Sequence, residues 1–233
     1  MPHHWKKEWT AWKNAALDFI YPPIHPCPVC HRQDVPLREE WAGLCPDCFT
    51  DFPWMEEDLL PDGVTAPAHY REGGRALVAR LKYQEGLYLA PVMAAMMARK
   101  VTEMKKQDPN WVVVPVPMHR KRERHRGYNQ AKLLARHMAF MVEFSYESQA
   151  LHRRRETAPM HRLNRLERVK NLTGSIFLSP GGKEKLAGRR VMLVDDIYTT
   201  GATAEACSEA MRSAGVLDVQ VVAFAVADLE KDE

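Results

Sequence analysis

The chain has 233 residues, 45% hydrophobic and 27% charged, with a mean hydropathy of −0.42. That length accommodates one α/β domain with a small appendage and excludes a large multidomain machine, while the composition supports a buried core and excludes a disordered chain. The net charge of +3 is unevenly spread: Met118 to Lys170 holds fourteen Lys/Arg against five Asp/Glu, and the remainder nineteen against twenty-five. A basic segment on an otherwise acidic chain calls for an anionic partner, phosphate or nucleic acid.

No stretch approaches the roughly 18 apolar residues of a membrane span. The apolar run Ala15 to Tyr21 is broken by Asp18, and no small-residue cleavage site follows it. A cytoplasmic protein without a signal peptide is the expectation.

In chain order, Trp5, Trp9, Trp12, Ala16 and Phe19 recur at helical spacing until Pro22 and Pro23 stop the pattern, which predicts an amphipathic N-terminal helix. Residues 22–60 are punctuated by Pro and Cys, and residues 1–60 read as a helix plus a metal-binding subdomain. From 61 to 233 strands alternate with helices. Leu89, Val92, Met93, Met96 and Met97 mark one helix face, and Ala131, Leu134, Ala135 and Met138 another. Trp111 to Val116, Val191 to Val194 and Val219 to Ala227 read as strands covered on both sides. Thr203, Ala206, Cys207, Ala210, Met211 and Ala214 form an apolar face that Gly215 ends. The alternation predicts an α/β fold with a parallel, doubly wound sheet. Cys207, on that apolar face, is most simply a small core residue.

Cys27-Pro-Val-Cys30 and Cys45-Pro-Asp-Cys48 are separated by fourteen residues. Each C-x2-C places two thiolates on one edge of a tetrahedron, which suits a structural zinc ion with no open coordination position. Two disulfides or four free thiols are the alternatives, and a reducing compartment disfavours the first. His25 and His31 flank the knot as substitutes or as surface residues.

The most informative stretch is Val191-Met-Leu-Val-Asp-Asp-Ile-Tyr-Thr-Thr-Gly-Ala-Thr203. It reads as a buried strand, two carboxylates, a Thr/Gly turn and a helix start. In open α/β sheets ligands bind at that edge, and a helix N-terminus offers unpaired amides to an anion. Ionised Asp195 and Asp196 accept hydrogen bonds, suiting a sugar cis-diol or a hydrated magnesium ion. An acidic cap on a Thr-rich turn is the plainer alternative. Upstream, the strand Val112 to Val116 runs into a segment bearing Arg120, Lys121, Arg122, Arg124 and Arg126. Such a loop either stabilises a departing anion or is merely solvated.

The stretch resembles the 5-phosphoribosyl-1-pyrophosphate (PRPP) motif of type I phosphoribosyltransferases. The resemblance implies that Asp195 and Asp196 hold the ribose, that Thr199, Thr200, Gly201, Ala202 and Thr203 hold the 5′-phosphate, and that Arg120, Lys121 and Arg122 hold pyrophosphate. Thr199 stands where hypoxanthine–guanine enzymes carry an aspartate, which counts against that substrate class. Arg153 to Thr157 with Met160 to Arg168 resembles the mobile loop of this family, and Arg162, Arg165 and Arg168 recur at helical spacing.

The order of motifs across residues 12–228 is more specific: four cysteines, Leu81-Lys82-Tyr83, Pro115 to Arg124, Gly127-Tyr-Asn-Gln130, Arg155-Glu-Thr157 with Leu163, Arg168 and Asn171, then Asp195-Asp196. It resembles the ComF family, whose competence members are called ComFC. That implies a zinc-bearing N-terminal region on a phosphoribosyltransferase fold. It also implies PRPP binding with magnesium and a role in natural transformation, where single-stranded DNA reaches the cytoplasm. A competence helicase is an implied partner. Met160 stands where the family often has glutamine, which alters the substrate hood if that glutamine is used. The chain ends soon after its last strand, so the hood is expected from residues 61–90 and 151–178.

Three functions compete: pentosyl transfer with release of pyrophosphate, a catalytically silent PRPP-sensing or single-stranded-DNA-handling adaptor, and nucleobase salvage. The tryptophan stripe serves a partner in the adaptor reading and packs on its own domain otherwise. His119, His125, His152 and His161 are general-base candidates by chemistry alone, each more simply a surface or structural histidine. The acceptor and the oligomeric state stay open, a homo-oligomer included.

Overall fold

A computed structural model describes residues 26–37, 42–83, 86–107, 110–154 and 174–227. The expected tryptophan helix lies outside these residues, as do Met160 and most of the second basic cluster. The chain divides into two compact units, Met1–Asp51 and Phe52–Glu233.

In the first unit, Cys27 to Cys30 form a tight turn in which His31 N donates to Cys27 O at 2.9 Å and Cys27 N to Arg32 O at 2.9 Å. Cys45 precedes a one-turn helix, Pro46–Thr50. Pro46 suits its first position because the missing amide proton would have had no helical partner.

The second unit is built on a parallel sheet in the order β1-β8-β7-β3-β4, with β2 also pairing β8. These strands are β1 (Val64–Thr65), β2 (Ala68–His69), β3 (Trp111–Pro115), β4 (Ser145–Tyr146), β7 (Arg190–Tyr198) and β8 (Asp218–Val226). An antiparallel pair, β5 (Leu151–Arg153) and β6 (Ile176–Leu178), stands apart.

Alternate residues explain why the central strands are apolar throughout. Val112 and Val114 of β3 and Val191 and Leu193 of β7 join one core with Cys207 and Met211 of the helix Ala202–Arg212, and with Leu151 and Ile176 of the β5–β6 pair. The intervening Val113, Met192 and Val194 are equally buried but face the other way. On that side the helices Leu89–Gln107 and Gln130–Val142 pack against each other and the sheet. The doubly wound α/β fold expected from the alternation is the one observed, and Cys207 is a core residue.

The chain leaves β3 toward β4 on one side and β7 toward β8 on the other, although β3 and β7 are hydrogen-bonded neighbours. Connections that part in this way open a crevice at the carboxyl ends of the two strands.

One element was not expected as such: the basic segment after β3 is a seven-residue helix, Arg120–Arg126. It has no apolar stripe to announce it. Its stop signal is local, Gly127 at φ 90°, and His119 Nδ1 accepts from Lys121 N at 3.4 Å at its start. Lys132 ties it to the next helix through Glu123 at 2.7 Å.

Candidate ligand cleft and four-cysteine cluster

A cavity of about 160 Å³ opens at the crevice between β3 and β7. Val116 to Met118 form one side, and Asp195 and Asp196 with Thr203 the other. Arg122 and Arg126, one helical turn apart, and Arg153 at the end of β5 supply positive charge, and Gln130 completes the wall. A smaller depression adjoins it, lined by Tyr198, Thr199, Gly201 and Thr203. Val116, Asp195 and Thr203 border both, so the two concavities are continuous.

Asp195 and Asp196 lie within the last half of β7 rather than beyond it. The Asp195 carboxylate accepts from Asp196 N at 2.9 Å. Burial, and then the adjacent Asp196, push the Asp195 carboxyl well above its ordinary value of 3.8. Arg153 is displaced in the opposite sense: burial, and then the neighbouring Arg122, lower its guanidinium. Two desolvated groups of opposite sign thus face one cleft, each penalised for being charged.

The turn after β7 depends on Gly201. Its φ of 77° lies in the left-handed region, and a Cβ there would collide with the Tyr198 hydroxyl. Gly201 O accepts from Glu205 N at 2.8 Å and starts the helix Ala202–Arg212. Ala202 is buried beneath this turn, Thr199 is exposed, and Thr200 is half-buried.

Of the three basic residues assigned to pyrophosphate, Arg122 lines the cleft, whereas Arg120 and Lys121 are exposed and do not. Arg126 takes the place that helical spacing from Arg122 provides. Arg153, read as part of a mobile loop, belongs instead to the wall; three strand residues carry too little periodicity to reveal this. Neither concavity is lined by any described histidine.

Asn129 and Gln130 differ sharply. Asn129 caps the helix Gln130–Val142 by accepting from Ala131 N at 3.0 Å, and its Nδ2 donates to Val116 O at 3.0 Å. It thereby ties that helix to the end of β3. The preceding Tyr128 hydroxyl donates to Leu81 O at 2.7 Å, which brings the Leu81-Lys82-Tyr83 and Gly127-Tyr-Asn-Gln130 motifs together.

In the other unit the sulfurs of Cys27, Cys30, Cys45 and Cys48 all lie within 4.8 Å of one another, with Cys30 Sγ and Cys45 Sγ 3.7 Å apart. Four thiolates bound about 2.3 Å from one tetrahedral ion stand about 3.8 Å apart, so the cluster is compatible with a structural zinc. Arg32 Nε donates to Cys30 Sγ at 3.5 Å, Arg32 Nη2 donates to Cys45 Sγ at 3.5 Å, and the same guanidinium pairs with Asp47. The Arg32 contact holds the Cys30 thiol down at about 6, whereas burial raises Cys48.

Fold and site together define an α/β protein of phosphoribosyltransferase-like fold with an N-terminal four-cysteine cluster. No family model matches the chain. It is 30% identical over 212 residues to the DNA utilization protein YhgH of Salmonella typhimurium, covering 84% of this chain and 87% of that protein. It is 29% identical over 212 residues to competence protein F of Haemophilus influenzae, covering 90% and 89%. To competence protein ComFC of Bacillus subtilis it is 25% identical over 185 residues, covering 77% and 68%. The chain belongs to the ComF family that these proteins represent. Among the described residues no helix is long and apolar enough to cross a membrane.

The Asp195 displacement has a consequence for stability. The unfolded chain ionises this carboxyl near its ordinary value, while the folded protein keeps the proton to higher pH. Stability therefore falls as pH rises from 3.8 through the raised folded value. Asp195→Asn removes that penalty, so its melting temperature at neutral pH should equal or exceed that of the wild type. The fall in its melting temperature as pH rises above 3.8 should also be shallower. Thermal melts across that range check both; a variant that melts well below the wild type contradicts the assignment.

Proposed function

We propose that the cleft binds magnesium-bound PRPP and that the chain is a phosphoribosyltransferase-like protein acting at the cytoplasmic side of natural competence and DNA uptake. The carrying observation is the pairing, in one crevice, of the Asp195–Asp196 carboxylates with the Arg122, Arg126 and Arg153 cations beside the Thr199–Thr203 turn. The carboxylates accept from the ribose hydroxyls. Thr199, Thr200, Gly201, Ala202 and Thr203 take the 5′-phosphate at a helix N-terminus. Arg122, with Arg126 and Arg153, takes the pyrophosphate, and Arg120 and Lys121 follow it from the rim. Magnesium bound to the substrate would offset the pyrophosphate charge.

In turnover the bond from ribose C1 to the pyrophosphate oxygen breaks, an acceptor bonds to C1, and the oxygen keeps the electron pair. The arginines stabilise the charge that develops there, and holding both ends of the substrate supplies orientation. The names of the relatives, competence protein and DNA utilization protein, support the DNA-uptake setting.

A second reading, the single-stranded-DNA adaptor, draws on one observation. Arg120, Lys121 and Arg124 are exposed on a seven-residue helix and do not line the cleft, so they form a ridge that fits backbone phosphates. A competence helicase is a partner this setting would supply.

Calorimetric titration with PRPP and magnesium should give saturable binding to the wild type and a loss of at least tenfold in Asp195→Asn. Pyrophosphate release with an acceptor would then separate an enzyme from a sensor. Charge reversal of Arg124, which takes no part in holding the pyrophosphate, should leave that titration unchanged and weaken salt-sensitive binding of single-stranded DNA, whose slope on log salt is about −0.7 per phosphate contact. Absence of PRPP binding to the wild type contradicts the reading.

The four cysteines hold zinc in this proposal, and the Arg32 guanidinium offsets the charge of four thiolates. Removing an outer partner of metal ligands typically costs about 10–100-fold in affinity. Arg32→Ala should accordingly release zinc to a colorimetric chelator at least tenfold more readily than the wild type. Equal release by both proteins, or no zinc in either, contradicts the assignment.

A further inference from the structure

Gln130 is 1% exposed, and its Nε2 is a buried donor without a hydrogen-bond partner. A buried amide left this way is costly, and the cost is avoidable because an apolar residue of similar length would fill the same space. The neighbouring Asn129 shows what a structural amide looks like here, since both ends of its side chain are engaged. Gln130 stands in the wall of the cleft with Arg122, Arg126 and Arg153. It is absent from the lining of the depression formed by Thr199, Gly201 and Thr203.

We infer that Gln130 is a ligand-binding residue whose side-chain amide donates to a pyrophosphate oxygen of the substrate, a neutral donor among three cations. The ligand's identity rests on the PRPP reading above; the orphaned donor in the cleft wall does not. Rotation about the last side-chain torsion, which is broad and two-fold, lets this amide meet an oxygen bound against the cleft wall. The residue's position predicts selectivity. It serves the arginine-lined lobe, so it discriminates ligands that carry pyrophosphate from those that carry only the 5′-monophosphate.

The test titrates magnesium with PRPP, inorganic pyrophosphate and ribose 5-phosphate into the wild type, Gln130→Met and Gln130→Glu. Loss of one hydrogen bond to a charged acceptor corresponds to about tenfold in affinity. Gln130→Met should therefore weaken PRPP and pyrophosphate by about tenfold and leave ribose 5-phosphate unchanged. Its ligand-free melting temperature should match or exceed that of the wild type, because the unpaired donor has gone. Gln130→Glu keeps the shape and removes the donor, and should weaken pyrophosphate further. Unchanged pyrophosphate and PRPP affinities in both variants overturn the inference and leave the PRPP reading intact. Parallel loss of all three ligands also overturns it, since that outcome marks a residue that only shapes the cleft. Failure of the wild type to bind PRPP or pyrophosphate overturns both.

Discussion

Two neighbouring strands, β3 and β7, share a full ladder of backbone hydrogen bonds and yet send the chain in opposite directions. That parting is the constraint on which the site depends. It leaves the carboxyl ends of both strands uncovered by their own connections. Polar side chains can stand there without displacing core, while a few residues earlier the same strands are buried on both faces. Asn129 reinforces the arrangement by tying the end of β3 to the start of the next helix.

Within that crevice groups of both signs are desolvated. Burial disfavours the charge on both Asp195 and Arg153, and their mutual attraction only partly offsets it. A ligand that brings hydroxyl donors to the first and anionic oxygens to the second relieves both penalties in one binding event. A sugar carrying pyrophosphate has that polarity, whereas a simple anion would engage only the arginines. The orphaned Gln130 amide belongs to the same pattern: stability has been forgone at the place where a ligand can restore it.

Much of this was legible in the residues themselves. Continuous apolar runs marked β3, β7 and β8 because a strand covered on both faces has no reason to alternate. Helical spacing marked Leu89–Gln107, Gln130–Val142 and Ala202–Arg212. The Asp195–Thr203 stretch announced itself because a carboxylate pair followed by a Thr/Gly turn has few structural uses. The Arg120–Arg126 helix was less legible, since it buries no apolar stripe and ends on a glycine that suits a loop equally well. Arg153 and Gln130 stood in recognisable motifs, the second basic cluster and Gly127-Tyr-Asn-Gln130, but nothing local placed either in the cleft. The first sits on a three-residue strand, the second at the start of an ordinary amphipathic helix, and only the tertiary fold brings them to the cleft.

The account stands most directly on where the sugar phosphate is held. Backbone and side-chain amide shifts of isotope-labelled protein, followed by nuclear magnetic resonance during addition of magnesium and PRPP, would map it. The account predicts that the largest changes fall on residues 195–203, on Arg122 and Arg126, and on the Gln130 side-chain amide. Perturbations confined to residues away from β3 and β7, with these signals unmoved at saturation, would contradict it.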